Sequence, residues 1–165
     1  MYNLITLSTQ LGQSLKEKNA MLVLAESCTG GLACATMTDI AGSSAWFDRG
    51  FITYSNAAKQ SILNVTNQTL TQFGAVSEET AKEMALGALN NSDADIAGSI
   101  TGIAGPDGGT IDKPVGTVCF AYATKSGYLT TMTKHFIGNR QQIRQQSVIH
   151  IMNGLISLAS NHLNK

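Results

Sequence analysis

The fold is decided by a short turn that reads Ala25-Glu26-Ser27-Cys28-Thr29-Gly30-Gly31. The apolar run 21–24 before the turn predicts a buried strand, and the small residues 32–37 after it predict a helix. A serine in such a turn lies among helix N-terminal N–H groups, which can hold an anion or a developing oxyanion. An ordinary N-cap role for Ser27 or Thr29 accounts for the same residues, so the turn alone leaves both interpretations open.

The composition is that of a compact globular protein. The chain has 165 residues, of which 43% are hydrophobic and 13% are charged, and we expect residues 1–165 to form a single domain. The formal net charge is zero, which gives no basic footprint for a nucleic-acid partner. The apolar runs are too short to span a bilayer and the N-terminus lacks a secretion-signal pattern, so no membrane partner is expected.

The cysteines favour a reduced setting. The three of them are scattered, at Cys28, Cys34 and Cys119, and form neither a disulfide framework nor a metal-ligand spacing. We therefore expect a cytoplasmic protein without a bound metal.

Helices and strands alternate along the chain until a hairpin near its end. Leucines at helical spacing predict a first helix over 4–15, and a capping serine with two acids predicts a helix start at 77–79. A β-prone run covers 51–54, and a further strand covers 95–100. The later segments 115–123 and 128–136 form the hairpin, and a last helix opens at 138–140. This order predicts an α/β fold, a single three-layer α/β/α domain with a mixed, mostly parallel sheet.

Three informative loops, 26–31, 55–59 and 101–109, each follow a predicted strand. In α/β sheets the ligand crevice lies beyond the carboxyl ends of the strands, so we expect these loops to converge. Sixteen glycines, clustered in loops, are consistent with close backbone approach to a ligand there.

A serine nucleophile needs a neighbour that accepts its proton. None of the histidines lies near a glycine-rich loop, since they stand at His135, His150 and His162. Lys59 is the better candidate base, because burial or a nearby cation lowers a lysine pKa toward neutrality. A solvated helix lysine is the plainer alternative. Tyr54 has two interpretations as well, a proton-relay or substrate contact and simple core packing.

Two features suit a phosphate. The glycine-rich loop 101–109 can bring backbone N–H groups close to an anion, although it matches neither the Walker pattern nor a dinucleotide fingerprint. Arg140 and Arg144 lie one helical turn apart and could clamp a phosphate with their guanidinium groups. A multi-turn loop and a surface arginine pair are the commoner outcomes for such residues.

Five motifs occur in the order seen in one family. They are Ala25-Glu26-Ser27-Cys28-Thr29-Gly30-Gly31, Tyr54-Ser55-Asn56 with Lys59, Gly74-Ala75-Val76-Ser77, Thr101-Gly102-Ile103-Ala104-Gly105-Pro106-Asp107-Gly108-Gly109 and Lys113-Pro114-Val115-Gly116-Thr117. Through them, nearly the whole sequence resembles the CinA C-terminal domain family. The resemblance implies an amidohydrolase that converts nicotinamide mononucleotide (NMN) into nicotinate mononucleotide and ammonia, with no cofactor and no metal.

The resemblance also implies roles for individual residues. Ser27 matches the nucleophile, Lys59 the general base, and Tyr54 a further site residue. The substrate-binding residues that it implies come from the turn, the glycine-rich loop and the last helix: Cys28, Thr29, Gly30, Thr101, Gly102, Gly105, Arg140 and Arg144. A small member of this family is expected to form a homo-oligomer. Two alternatives stay open, namely a catalytically silent paralogue that binds a nucleotide or a protein, and an amidohydrolase for another carboxamide.

Overall fold

The computed structural model describes residues 4–163. Helices and strands follow one another in the order α1 (Leu4–Glu17), β1 (Leu22–Glu26), α2 (Leu32–Thr38), β2 (Phe47–Ile52), α3 (Asn56–Leu63), α4 (Asn67–Phe73), α5 (Glu78–Asn90), β3 (Ile96–Gly102), β4 (Thr117–Thr124), β5 (Leu129–His135) and α6 (Arg140–His162). Within these residues, no helix combines the length and the apolar character needed to cross a bilayer.

The five strands form one mixed sheet in the order β2-β1-β3-β4-β5. β1 pairs in parallel with both β2 and β3, whereas β4 runs antiparallel to β3 and to β5. Four strands therefore share one direction, and only β4 opposes them. In the register of the sheet, Glu26 stands beside Ile52 on one side and Ile100 on the other. The residues just beyond these three positions consequently begin at the same edge of the sheet.

Helices cover both faces of the sheet. α1, α2 and α6 pack together on one face, while α5 lies on the other face with α3 and α4 against it. The core of the first face includes Trp46, which is 1% exposed and lies against Gly12 of α1. The prediction of an α/β/α fold with a mixed, mostly parallel sheet is confirmed.

Several boundaries differ from the sequence prediction. β2 begins at Phe47, four positions before the predicted run 51–54. The prediction began too late because this edge strand carries the exposed residues Arg49 and Gly50 and so lacks an apolar pattern there. The helix α4 has no counterpart in the prediction, although the hydroxyl of its N-cap Thr66 accepts the Thr69 N–H. Thr101 and Gly102, expected in a loop, are the last residues of β3.

Candidate active site

The proposed nucleophile lies at the carboxyl edge of the sheet. Ser27 N–H donates to the Ile100 carbonyl at 2.9 Å, and Thr53 N–H donates to the Glu26 carbonyl at 2.8 Å. The backbone therefore continues the pairing of the sheet for one residue beyond β1 and β2. This pairing ties the backbone of Ser27 to the sheet.

Lys59 reaches the Ser27 side chain from the first turns of α3. The Ser55 hydroxyl caps this helix by accepting the Ala58 N–H at 3.0 Å. The Lys59 side chain points inward and is 1% exposed, and its Nζ lies 2.9 Å from Ser27 Oγ. Nζ also lies 3.0 Å from the Thr53 carbonyl and 3.2 Å from the Tyr54 carbonyl. The alternative of a solvated helix lysine is therefore wrong.

Lys59 is buried without a counter-ion, and this lowers its pKa. Over residues 4–163 the ion pair that the structure forms is Arg49–Asp48, so no carboxylate pairs with Lys59. Burial lowers the pKa of Lys59 from its ordinary value of 10.5, because the charged ammonium loses its hydration. Lys59 Nζ donates to the Thr53 and Tyr54 carbonyls and to Ser27 Oγ, and loss of one proton from this group would leave a lone pair facing the Ser27 hydroxyl.

The neighbouring thiol does not compete as a nucleophile. Burial raises the pKa of Cys28 from 9.0 to about 12, and the nearby Arg144 and Arg140 do not offset that effect. A thiol in this state stays protonated at neutral pH, and the thiolate is the form that attacks. The Ser27 hydroxyl, 2.9 Å from Lys59 Nζ, is the remaining candidate nucleophile in this turn.

The N–H groups around the turn fall into two sets. Those of Gly31, Ala33 and Cys34 donate to the Glu26 carboxylate at 3.0, 3.2 and 2.7 Å. The expectation that the first-turn N–H groups of α2 are free for a ligand is therefore wrong. Neither Ser27 nor Thr29 caps α2, since Gly31 occupies the N-cap position without a side-chain bond.

The second set consists of the N–H groups of Cys28 and Thr29. Neither donates a hydrogen bond to any other group in the described part of the chain. These two residues directly follow Ser27. Thr29 is 0% exposed, whereas part of Cys28 is accessible, so the Cys28 N–H group is the donor that the turn leaves for an incoming oxygen.

A cavity of about 260 Å³ opens beside the Ser27–Lys59 pair. Eight of the residues that the sequence singled out line it, namely Ser27, Cys28, Tyr54, Lys59, Thr101, Gly102, Gly105 and Arg140. Thr29, Gly30 and Arg144 do not line the cavity. Residues that the sequence did not single out also line it: Asn56, Ala75, Val76, Ile103, Ala104, Asp107 and Gly108. The motifs 54–56, 74–77 and 101–109 contain all of them, which is the signal that could have found them.

Arg140 and Arg144 serve different surroundings despite their helical spacing. Arg140 donates from Nη1 to the Gly105 carbonyl at 2.9 Å and from Nη2 to the Tyr54 hydroxyl at 3.2 Å, at the mouth of the cavity. Tyr54 is 61% exposed, so core packing does not account for it. Arg144 donates from Nη2 to the Thr29 carbonyl at 2.7 Å, while its buried Nε has no partner. The two guanidinium groups thus do not face one ligand position together.

The far wall of the cavity is held by a threonine. The Thr101 hydroxyl donates to the Ala75 carbonyl at 2.7 Å, which ties the segment before α5 to the end of β3. No histidine lines this cavity, and His135 instead lies within 3.2 Å of the Thr117 hydroxyl on the hairpin. The arrangement is therefore a serine with a lysine, in an open pocket that has a cation at its mouth.

An α/β sheet with a buried serine–lysine pair at its carboxyl edge defines the class of this protein. The family model "CinA C-terminal domain" matches residues 4–159, so the chain belongs to the CinA C-terminal domain family. It is 53% identical over 152 residues to the nicotinamide-nucleotide amidohydrolase PncC of Escherichia coli K12, covering 92% of both chains. It is 55% identical over 143 residues to the protein of the same name from Enterobacter agglomerans, covering 87% of both.

Solved structures agree with this assignment. The competence/damage inducible protein CihA from Agrobacterium tumefaciens has a TM-score of 0.91 and 44% identity, with 94% of each chain covered. The competence damage-inducible protein A from Klebsiella pneumoniae MGH 78578 has a TM-score of 0.93 and 34% identity, with 97% of this chain and 99% of that chain covered.

Proposed function

We propose that this protein is a nicotinamide-nucleotide amidohydrolase, which converts NMN and water into nicotinate mononucleotide and ammonia. The observation that carries the proposal is the 2.9 Å contact between Lys59 Nζ and Ser27 Oγ in a cavity beside the sheet edge. The relatives that bear this activity in their names cover 87% and 92% of the chain, and their identity to it exceeds half.

In the first half of the reaction, Ser27 Oγ attacks the carboxamide carbon while the Lys59 amine accepts the hydroxyl proton. The carbonyl oxygen becomes an oxyanion, which the N–H group of Cys28 stabilises. Each such donor is worth about 3 kcal/mol in other oxyanion holes. The C–N bond then breaks, the Lys59 ammonium gives its proton to the leaving nitrogen, and ammonia departs from a Ser27 ester.

The second half returns the enzyme to its starting state. A water attacks the ester carbon, and the Lys59 amine accepts a proton from that water. When the bond from carbon to Ser27 Oγ breaks, Lys59 returns the proton to Oγ. The carboxylic acid so formed loses its remaining proton to solvent, and the product carboxylate is nicotinate mononucleotide. The positive charge of the pyridinium ring withdraws electrons from the carboxamide and makes its carbon more open to attack in the first step.

The phosphate is assigned to the mouth of the cavity. Arg140 supplies a fixed cation there, because the Gly105 carbonyl and the Tyr54 hydroxyl already hold its guanidinium group. Thr101, Gly102 and Gly105 form the adjoining wall against which the ribose phosphate packs. Tyr54 orients Arg140 and closes the mouth.

Arg144, Thr29 and Gly30 act through the turn and not by contact with the substrate. Arg144 donates to the Thr29 carbonyl and thereby holds the backbone of the turn. Gly30, with φ 57°, allows the chain to reverse after Thr29. Their part in binding substrate is thus through the shape of the turn.

The protein is further proposed to be cytoplasmic and to self-associate. Several large apolar side chains are strongly exposed, among them Ile52, Ile111 and Ile137 at 53%, 101% and 92%. Contact between copies would remove such surface from water. Light scattering on the purified protein tests this, with a mass above 17.4 kDa expected and a monomer contradicting it.

The test of the activity is ammonia release from NMN by the purified, folded protein, with nicotinate mononucleotide measured in parallel by chromatography. The proposal expects equal amounts of the two products. Tight NMN binding without turnover would instead identify a silent nucleotide-binding paralogue. Release from other carboxamides but not from NMN would identify an amidohydrolase of different specificity.

A further inference from the structure

Glu26 is a buried carboxylate next to the proposed nucleophile with no place in the chemistry so far. It is the last residue of β1, directly before Ser27, and is 0% exposed. Its Oε2 accepts the N–H groups of Gly31 and Ala33, and its Oε1 accepts that of Cys34 at 2.7 Å. One side chain thus holds both ends of the turn that carries Ser27.

The C-terminal part of the turn has little side-chain packing, and apart from Glu26 the Arg144 bond to the Thr29 carbonyl holds it. Gly30 and Gly31 adopt φ of 57° and 97°, the left-handed region that glycine enters at low cost, and neither carries a side chain that could pack. A Cβ on Gly31 would lie 2.9 Å from Ile52 Cδ1, so a larger residue there would force Ile52 to move. The hydrogen bonds to Glu26 therefore stabilise this part of the turn in place of side-chain packing.

Glu26 also decides which N–H groups stay free. It takes three donors at the start of α2, while the Gly30 N–H donates to the Ser27 carbonyl at 3.0 Å. Among residues 4–163, the N–H groups of Cys28 and Thr29 have no acceptor, and of these two residues only Cys28 lines the cavity. Removing the carboxylate would release buried N–H groups, which cost free energy until they find another acceptor. The turn would then be free to shift.

We infer that Glu26 is a positioning residue for the amide hydrolysis proposed above: its carboxylate holds the 27–31 turn in the shape that leaves the Cys28 N–H group free to face the oxyanion in the cavity. The inference rests on that proposed function. It predicts that loss of the carboxylate weakens stabilisation of the tetrahedral intermediate and leaves binding of NMN, which depends on Arg140, nearly unchanged.

The test is Glu26→Gln, compared with Glu83→Gln as the matched control. Glu83 is a half-buried carboxylate on the opposite face of the sheet, where it accepts the Thr66 N–H at 2.7 Å and the Thr69 hydroxyl at 2.6 Å. A glutamine at position 26 keeps the size but turns an NH₂ group toward at least one backbone donor. We expect kcat to fall about 100-fold, the size of effect that a misplaced catalytic group produces, with KM for NMN nearly constant. Glu83→Gln should keep kcat.

A second readout isolates the oxyanion. A boronic acid analogue of NMN, with B(OH)₂ in place of the carboxamide, accepts the Ser27 oxygen to give a tetrahedral adduct. Its inhibition constant should rise in Glu26→Gln in proportion to the loss of kcat, whereas a merely structural role would lower the folded fraction and leave the inhibition constant unchanged.

Each outcome has a defined meaning. A wild-type protein that does not hydrolyse NMN defeats the proposed function itself. An active wild type with Glu26→Gln as active as Glu83→Gln, or with the boronate affinity unchanged, overturns the inference about Glu26 alone. If Glu26→Gln does not fold, Glu26→Asp replaces it, since it keeps the charge but is one methylene shorter. A lowered kcat with constant KM supports the inference, and wild-type kcat overturns it.

Discussion

Replacing Lys59 by methionine tests whether the buried amine is neutral. Lys59 is 1% exposed and has no carboxylate partner, and burial lowers its pKa below 10.5. Methionine has a similar length and no titratable group, so Lys59→Met removes the proton equilibrium and keeps most of the packing. The free energy of unfolding of wild type relative to Lys59→Met then reports the titration of this one side chain.

The sign and size of the effect follow from proton linkage. Between the lowered pKa of folded Lys59 and 10.5, the unfolded chain binds one more proton than the folded protein. The stability of wild type relative to Lys59→Met must therefore rise with pH by about 1.4 kcal/mol per unit in that window. The penalty for burying a charged amine is complete below the folded pKa of Lys59 and vanishes above 10.5.

The assay is urea unfolding of both proteins at a series of pH values from neutral to alkaline. Lys82→Met, from an exposed position on α5, measures the general effect of losing one lysine charge. The activity of Lys59→Met should fall by about 100- to 10,000-fold, the usual worth of a general base. A difference in unfolding free energy that is flat, or that declines as pH rises, would refute the argument for a neutral amine.

Two further substitutions test other parts of the account. Arg140→Ala should raise KM for NMN more than it lowers kcat, because a phosphate contact remote from the amide binds ground and transition states alike. With nicotinamide riboside, which lacks the phosphate, the same substitution should lower kcat/KM only slightly. Equal losses of kcat/KM for both substrates would make Arg140 structural. Gly12→Ala places a Cβ 2.8 Å from the Trp46 ring and should lower the unfolding free energy by about 1–3 kcal/mol with kcat per folded molecule retained, whereas wild-type stability in urea would contradict the packing described for α1.

Most helices and strands could be predicted from the sequence because the relevant signals are local. Apolar periodicity located α1, and the capping residues Ser55, Ser77 and Asn139 mark the starts of α3, α5 and α6. Residues 47–50 of β2 were not predicted as a strand, because an edge strand has exposed residues and needs no apolar alternation there. Pairing with β1, a tertiary interaction, is what makes these residues a strand.

The candidate site was predictable only in part, since its decisive contacts join distant segments. The turn motif indicated Ser27, but its distance to Lys59 depends on how β1 and β2 align in the sheet. Helical spacing placed Arg140 and Arg144 on one face, yet their partners lie in separate loops and divide their functions. Glu26 was not predicted as a site residue, because a carboxylate at a strand end gives no periodic signal. Its hydrogen bonds to the start of α2 appear only in three dimensions.

The central claim is that the Ser27 hydroxyl, activated by the Lys59 amine, attacks the carboxamide. The most direct measurement is the rate of ammonia release from NMN by Ser27→Ala and by Lys59→Arg, with NMN affinity measured by calorimetry. Arginine keeps the charge of lysine but does not lose its proton in a protein, so it cannot act as a base. The account predicts that both variants bind NMN and that both lose nearly all turnover. Substantial ammonia release by Ser27→Ala would contradict it, and so would a kcat in Lys59→Arg close to that of wild type.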